Sequence, residues 1–391
     1  MTNYYTADYV LPVISAPLKN GTVAVNTKGE IIEVYEENSP DLEGKEINKF
    51  EGIIVPGFIN SHCHLELSSL YQKIPEKTGL IPFLKKVIAL RKSISEDKEA
   101  AMLEADAKMW ENGIVAVADI SNTIDSKTVK EKSSIFYHTY VELLSLEPDK
   151  AKDIFRDGIE LIEQFSPLHA SIVPHSPYSA SKELLRFIGK FCGEAGNPIT
   201  IHNQESEDEN KLYRYKTGDF LNFYKELSIN IDFFKPQARN SIQSIIPLIP
   251  LKQKTMLVHN TYTSLKDIYF ILRSGKDITW CFCPNANLYI ENRLPKIEMF
   301  QFHDFNITLG TDSLASNKSL CILSELKTLH SNFSSLSLTE TIQWATINGA
   351  DFLGIDSTFG SLEKGKKPGL NLITHVKGLQ ITPQSTVKKL I

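Results

Sequence analysis

Val55-Pro-Gly-Phe-Ile-Asn-Ser-His62-Cys-His64-Leu-Glu66-Leu-Ser68 is an apolar run that ends in two histidines one residue apart, with a carboxylate close behind. Side chains alternate across a strand, so His62 and His64 share one face and Cys63 takes the other. Two adjacent imidazoles followed by a carboxylate form the beginning of a metal site, although such a pair alone equally suits a polar strand end meeting solvent. The rest of the chain decides between these, because it supplies further ligand-type residues, each after its own apolar run.

From Ile53 to Ala350 apolar, strand-like runs alternate with longer segments of helical period, the arrangement that favours parallel strands joined by helices. The strands are expected at Ile53 to Asn60, Ile114 to Ile120, Ile135 to Leu143, Ala170 to Pro174, Pro198 to His202, Thr255 to His259, Ile278 to Cys283 and Ile307 to Thr311. Between them lie segments such as Leu80 to Leu90 and Ala151 to Ile162, apolar at i, i+3, i+4 and i+7. These units imply an α/β protein built on a (β/α)8 TIM barrel, whose chemistry lies at the C-terminal ends of the strands. The two ends of the chain differ. Residues 1 to 54 contain short alternating segments separated by Asn-Gly and Lys-Gly-Glu turns, and the stretch after Gly360 reads the same way. The expected division is therefore a small β-sandwich from residues 1–54 and 358–391, and a barrel from residues 55–357.

The chain has 391 residues, room for two average domains or one large barrel with an appendage. A formal charge of -5 and the absence of a basic stripe argue against nucleic acid as a partner. Five scattered cysteines lack framework spacing and read as reduced thiols of a cytoplasmic protein, with Cys281 and Cys283 as buried packing. Neither an export signal nor a membrane span is expected.

The polar residues fall at the expected strand ends. Strand five leads into His202-Asn-Gln-Glu205, strand six into His259-Asn260, and strand eight into Thr311-Asp312-Ser-Leu-Ala-Ser-Asn317. A lone histidine at a strand end is more often structural than a ligand. Matching positions on several strands point to one site. His138, His169, His303, His330 and His375 fall elsewhere and read as structural or solvated.

Together these motifs resemble the amidohydrolase superfamily, in the branch holding cytosine deaminases, S-adenosylhomocysteine deaminases, aminodeoxyfutalosine deaminases and chlorotriazine hydrolases. The resemblance spans nearly the whole chain: Pro-Gly-Phe-Ile-Asn-x-His-x-His, His-x-x-Glu, the strand-six His, Thr-Asp-Ser, and a closing Gly-x-Leu-x-x-Gly-Lys. It implies that His62, His64, His202 and Asp312 hold one divalent metal, zinc in the first place and iron as the alternative. Two-metal members use a lysine at the end of strand four, where this chain has Pro174-His175-Ser-Pro-Tyr178. A single ion is expected accordingly.

Such a metal brings the pKa of water towards neutrality, so that hydroxide is available to attack an electron-poor carbon. By the resemblance, Asp312 would take the water's proton, Glu205 would shuttle a proton to a ring nitrogen and then to departing ammonia, and His259 would orient the nucleophile or stabilise developing charge. The alternative for Glu205 is a solvated loop acid beside Glu207, Asp208 and Glu209. The stretches around Glu66, His175 and Asn317 are similar to those of aminodeoxyfutalosine deaminases, and these three residues with Asn287 are the expected substrate contacts, Glu66 and His175 being equally suited to propping the ligands. Asn285 stands where relatives carry arginine, which suggests a substrate without the acidic group that an arginine would meet. Asn371 stands where the closing motif has aspartate and reads as structural.

The long segment from Glu207 to Pro250 forms a lid, a binding wall or a subunit interface, so a homodimer stays open. The functional expectation is a deaminase acting on an aminated purine nucleoside or similar heterocycle, with a small molecule as its partner. The alternatives are hydrolysis of a cyclic amide or chloro-heterocycle by the same chemistry, and a binding protein that keeps the metal cage without activity.

Overall fold

The computed structural model describes residues 2–93 and 97–391. The strand expected from Ile53 to Asn60 is in fact two strands in different sheets. Ile53–Pro56 pairs antiparallel with Leu370–Thr374 and parallel with Tyr9–Val10, whereas Phe58–Cys63 opens the barrel. Between them Gly57 passes so close to its neighbours that a Cβ would lie 2.4 Å from Val115 Cγ1 and 2.5 Å from the Pro368 carbonyl oxygen. Only glycine allows that crossing.

The two ends of the chain meet in a β-sandwich. One sheet orders Ile31–Tyr35, Thr22–Asn26, Thr2–Thr6 and Ile47–Lys49; the other orders Thr386–Lys389, Leu370–Thr374, Ile53–Pro56, Tyr9–Val10 and Leu18–Lys19. Val23 and Val25 of the first sheet share an apolar core with Ile54, Leu370 and Leu372 of the second. The strand Ile53–Pro56 thus lies with the sandwich, past the expected boundary at residue 54. Buried Asn371 ties this sheet to the barrel by donating to the Gly113 carbonyl at 2.8 Å.

The barrel strands are β1 (Phe58–Cys63), β2 (Ile114–Ser121), β3 (Phe136–Leu143), β4 (His169–Pro174), β5 (Ile199–Asn203), β6 (Thr255–His259), β7 (Ile278–Phe282) and β8 (Asn306–Leu309). β1 to β4 form one parallel ladder and β5 to β8 another. Two seams join them. At one, His202 N donates to the His175 carbonyl at 2.9 Å; at the other, Thr311 N and Asp312 N both donate to the His62 carbonyl at 3.0 Å. Gly310 permits the second seam, since a Cβ there would lie 2.7 Å from His62 Cβ. Asn60 stitches it further, its Nδ2 donating to Thr311 Oγ1 at 2.7 Å and its Oδ1 accepting from Thr311 N at 3.0 Å. Ile59, Ala118, Tyr140, Val173, Met256 and Cys281 fill the interior, so the barrel is packed and its chemistry is confined to the mouth. Cys281 and Cys283 are buried free thiols.

Both quoted helical segments form helices, Leu80–Ser93 and Ala151–Gln164. Among the described residues no helix is long and apolar enough to cross a membrane.

Candidate active site

At the strand ends the backbone turns abruptly, and the turns aim the side chains at one point. Gln204, His259 and Asp312 have φ of 46°, 72° and 56°, left-handed values that non-glycine residues seldom adopt and that concentrate at functional sites. His64 directly follows β1, and its successor is fixed by Leu65 N donating to Asp119 Oδ1 at 2.8 Å. Asp119 is in turn paired with Lys130 Nζ at 2.7 Å, both side chains being fully buried.

These turns bring His62, His64, His202, His259, Glu205 and Asp312 together. His64 Nε2 lies 3.2 Å from His62 Nε2 and 3.3 Å from His202 Nε2, and Asp312 Oδ1 lies 3.5 Å from His64 Nε2 and 3.8 Å from His62 Nε2. His202 Nδ1 donates to the His175 carbonyl at 2.7 Å, which leaves its Nε2 as a lone pair facing the cluster. Burial, reinforced by the neighbouring imidazoles, pushes His62 and His64 well below the usual imidazole value and His202 down to about 3. Several neutral imidazoles with nitrogens in mutual contact are a poor arrangement for one another and a good one for a cation. Two overlapping groups, His62 with His202 and His259, and His62 with His64 and Asp312, have the spacing to hold one. The four expected ligands are thus brought together, with His259 as a fifth neighbour.

Glu205 stands beside this cluster, its Oε1 at 3.6 Å from His259 Nε2. It is 5% exposed, which sets it apart from a solvated loop acid. Burial, followed by the charge of Asp312, pushes its carboxyl well above the usual range. His259 Nδ1 donates to Asn287 Oδ1 at 2.9 Å, so its Nε2 is an acceptor. Asp312 Oδ2 accepts from Ser316 Oγ at 2.5 Å, leaving Oδ1 towards the histidines.

The expected substrate contacts divide. His175 lines the cavity, its Nδ1 engaged by Ser176 Oγ and Ser179 Oγ at 2.9 and 2.7 Å. Glu66, Asn287 and Asn317 do not line it. Glu66 accepts from Asn122 N, Thr123 N, Thr123 Oγ1 and Arg91 Nη2 at 3.0 to 3.3 Å, which consumes both oxygens. Asn287 stands behind His259, and Asn317 braces the β8 loop by donating to the Thr311 carbonyl and to Glu325 Oε1, each at 2.8 Å. Asn285 also faces away, its side chain onto Ser324 and Thr328 and its backbone N onto Glu325. The other five histidines stay outside the cluster.

Glu142 and Arg91 are among the cavity residues that were not foreseen. Glu142, at the end of β3, lies with Oε1 3.4 Å from His202 Nδ1, and Arg91 donates to Asn122 Oδ1 at 2.8 Å as well as to Glu66. A carboxylate inside the apolar run Tyr140-Val-Glu142-Leu-Leu is the signal that could have found the first, because a strand buries such a residue only with a partner or a purpose. The segment from Glu207 to Pro250 contributes Phe223 and Tyr224 to the cavity and is pinned by Tyr213 Oη and Tyr224 Oη, which donate to the Pro177 and Tyr178 carbonyls at 2.7 and 2.6 Å. It forms a wall.

Sequence and fold comparisons place the chain among known proteins. The profile of the amidohydrolase family matches residues 53–390. The chain belongs to that family. It is 28% identical over 379 residues to a 5'-deoxyadenosine deaminase of Methanococcus vannielii, covering 92% of this chain and 82% of that protein. It is 25% identical over 347 residues to a 5-methylthioadenosine/S-adenosylhomocysteine deaminase of Pyrococcus abyssi, covering 83% and 75%. In three dimensions this amidohydrolase superposes on the Helicobacter pylori aminofutalosine deaminase crystallised with methylthio-coformycin, with a TM-score of 0.83, 22% identity, and 97% and 93% of the two chains covered. That likeness shows a shared fold, the barrel with its sandwich.

Proposed function

We propose that this amidohydrolase is an aminohydrolase that uses one divalent ion, zinc, to release ammonia from an aminated purine nucleoside or a similar heterocycle. The carrying observation is Glu205: a buried carboxyl with a raised pKa faces the spot on which the imidazole nitrogens converge. His62, His64, His202 and Asp312 would hold the ion, whose Lewis acidity makes hydroxide available near neutral pH.

The remaining work belongs to the protein's own groups. Asp312 Oδ1 accepts the proton that water gives up, while Ser316 keeps Oδ2 fixed. His259, held by Asn287 with Nε2 as acceptor, orients that water by taking a hydrogen bond from it. Glu205, whose burial favours the protonated form, donates to a ring nitrogen of the substrate and so draws electrons from the carbon under attack. It then takes up the proton of the newly added hydroxyl and passes it to the leaving amino group, which departs as ammonia, and the proton held on Asp312 returns to Glu205 for the next turnover. The names of the curated relatives support an adenine-bearing substrate.

Ammonia release by the zinc-loaded protein from adenosine-like, cytosine-like and guanine-like compounds tests this reading. Release from the adenosine-like members is the expected result. Metal-loaded protein that releases ammonia from none of them would overturn it.

A further inference from the structure

Above its floor the cavity changes character. The helix Leu80–Ser93 turns Leu80, Phe83, Leu84, Val87 and Ile88 into it, one apolar stripe of that helix. Across from them stand Phe223 of the long insertion and Leu146 of the loop after β3. Leu144 and Leu227 continue this surface to the mouth, where they are 47% and 40% exposed. The cavity holds about 500 Å³, ample for a small ligand with an extension.

The polar groups that border this wall are already engaged. Arg91 is held by Glu66 and Asn122, Lys150 donates to Glu147 Oε2 at 2.5 Å, and Ser145 Oγ donates to the Glu147 carbonyl at 3.0 Å. The exceptions lie low, next to the floor: Glu142 Oε1 and Tyr178 Oη are buried without hydrogen-bond partners, while Glu142 Oε2 accepts from Asn122 Nδ2 at 3.1 Å. A substrate with its reacting carbon on the floor therefore meets an unspent acceptor and an unspent hydroxyl near the ring. Beyond them comes a surface that is mostly carbon, where an acidic or zwitterionic tail would lose its hydration.

Building on the aminohydrolase reading, we propose that the substrate carries, at the end remote from its amino group, an uncharged apolar substituent longer than a methyl group. The wall between helix Leu80–Ser93 and the insertion holds it. The recognition is by apolar area, so it rises with tail length and is abolished by charge.

The test is a series that shares one adenine nucleoside core: adenosine, its 5'-methylthio and 5'-butylthio 5'-deoxy analogues, and a 5'-carboxypropylthio analogue of butyl-like length. Ammonia release by the zinc-loaded enzyme gives kcat/KM, and calorimetry on Glu205→Gln gives affinity without turnover. The expected order is butylthio above methylthio above adenosine, with roughly tenfold or more between the two thioethers and the carboxylate below the methylthio compound. Adenosine or the carboxylate performing as well as the butylthio compound would overturn the proposal. If no member yields ammonia, the aminohydrolase reading fails by itself; the calorimetric order then decides the wall, a rise with apolar length supporting it and a flat order overturning it. Leu84→Ser, at a half-buried position that folding tolerates, should shrink the butylthio-to-methylthio ratio by about fourfold, and an unchanged ratio would remove helix Leu80–Ser93 from the recognition.

Discussion

On the floor of the cavity, histidines and carboxylates from β1, β5, β6 and β8 crowd together with nitrogens as close as 3.2 Å, and His202, His259 and Asp312 are each held by a partner, the His175 carbonyl, Asn287 and Ser316. On the wall, Phe83, Val87 and Phe223 present carbon from two separate helices, with no hydrogen bond among them to set an angle. The difference is one of tolerance. A polar floor needs directions, so it is placed at barrel strand ends where left-handed backbone and buried braces leave each side chain one pose. An apolar wall needs only area and shape, and helices supply both.

The comparison breaks most visibly at His202. His202→Ala should lose bound metal and all measurable turnover together, and the wild-type protein, which should carry one equivalent by elemental analysis, should lose activity on dialysis against a chelator and regain it with zinc. Retention of a full equivalent by the variant, or two equivalents in the parent, would show the floor is held differently. Next comes the brace beneath His64. Lys130→Met leaves the Asp119 carboxylate buried and unpaired, so urea unfolding should reveal a loss of about 3–5 kcal/mol; a change below about 1 kcal/mol would mean the pair is not load-carrying for the floor.

A smaller effect is expected behind His259. Asn287→Leu removes the acceptor for Nδ1 and should lower kcat by about 10- to 100-fold with metal retained, whereas Asn287→Asp keeps the acceptor and should recover most of the rate. Equal losses in both would show that packing matters there and the imidazole tautomer does not.

How much of this was readable in advance follows the same divide. The floor was legible because each ligand-type residue ends an apolar run, and a strand followed by His or Asp carries its position with it. The helix side of the wall was not, since Leu80 to Leu90 has the period of any helix that covers a barrel, and periodicity says that a face is buried without saying against what. Glu66, Asn287 and Asn317 illustrate a further blind spot. Their side chains suit a substrate and a neighbouring backbone equally, and only the direction they take in space separates the two. The break at Gly57 was marked by the Pro56-Gly57 pair inside the run, a punctuation that outweighs the apolar continuity on either side.

The smallest effect concerns pH. Glu325, which braces the β8 loop through Asn317, is pushed by burial from 4.5 up to about 8. A carboxyl raised in this way holds its proton in the folded chain after the unfolded chain has released it, so its contribution to stability is complete below about pH 4.5 and is lost as pH rises towards 8. Glu325→Gln, which cannot ionise, should flatten the decline in unfolding free energy between pH 5 and 8 by at most about 1.4 kcal/mol per pH unit. Parallel pH profiles for variant and parent would exclude that role.

The most direct test of the floor as a catalytic device is Glu205→Gln, measured for metal content and turnover on the same preparation. Glutamine keeps the volume of the side chain and cannot carry a proton between ring nitrogen and leaving ammonia. The expected result is a full equivalent of metal with kcat reduced by about two to four orders of magnitude. A variant that deaminates at the parent rate would place the proton shuttle elsewhere, and one that loses its metal would make Glu205 a ligand.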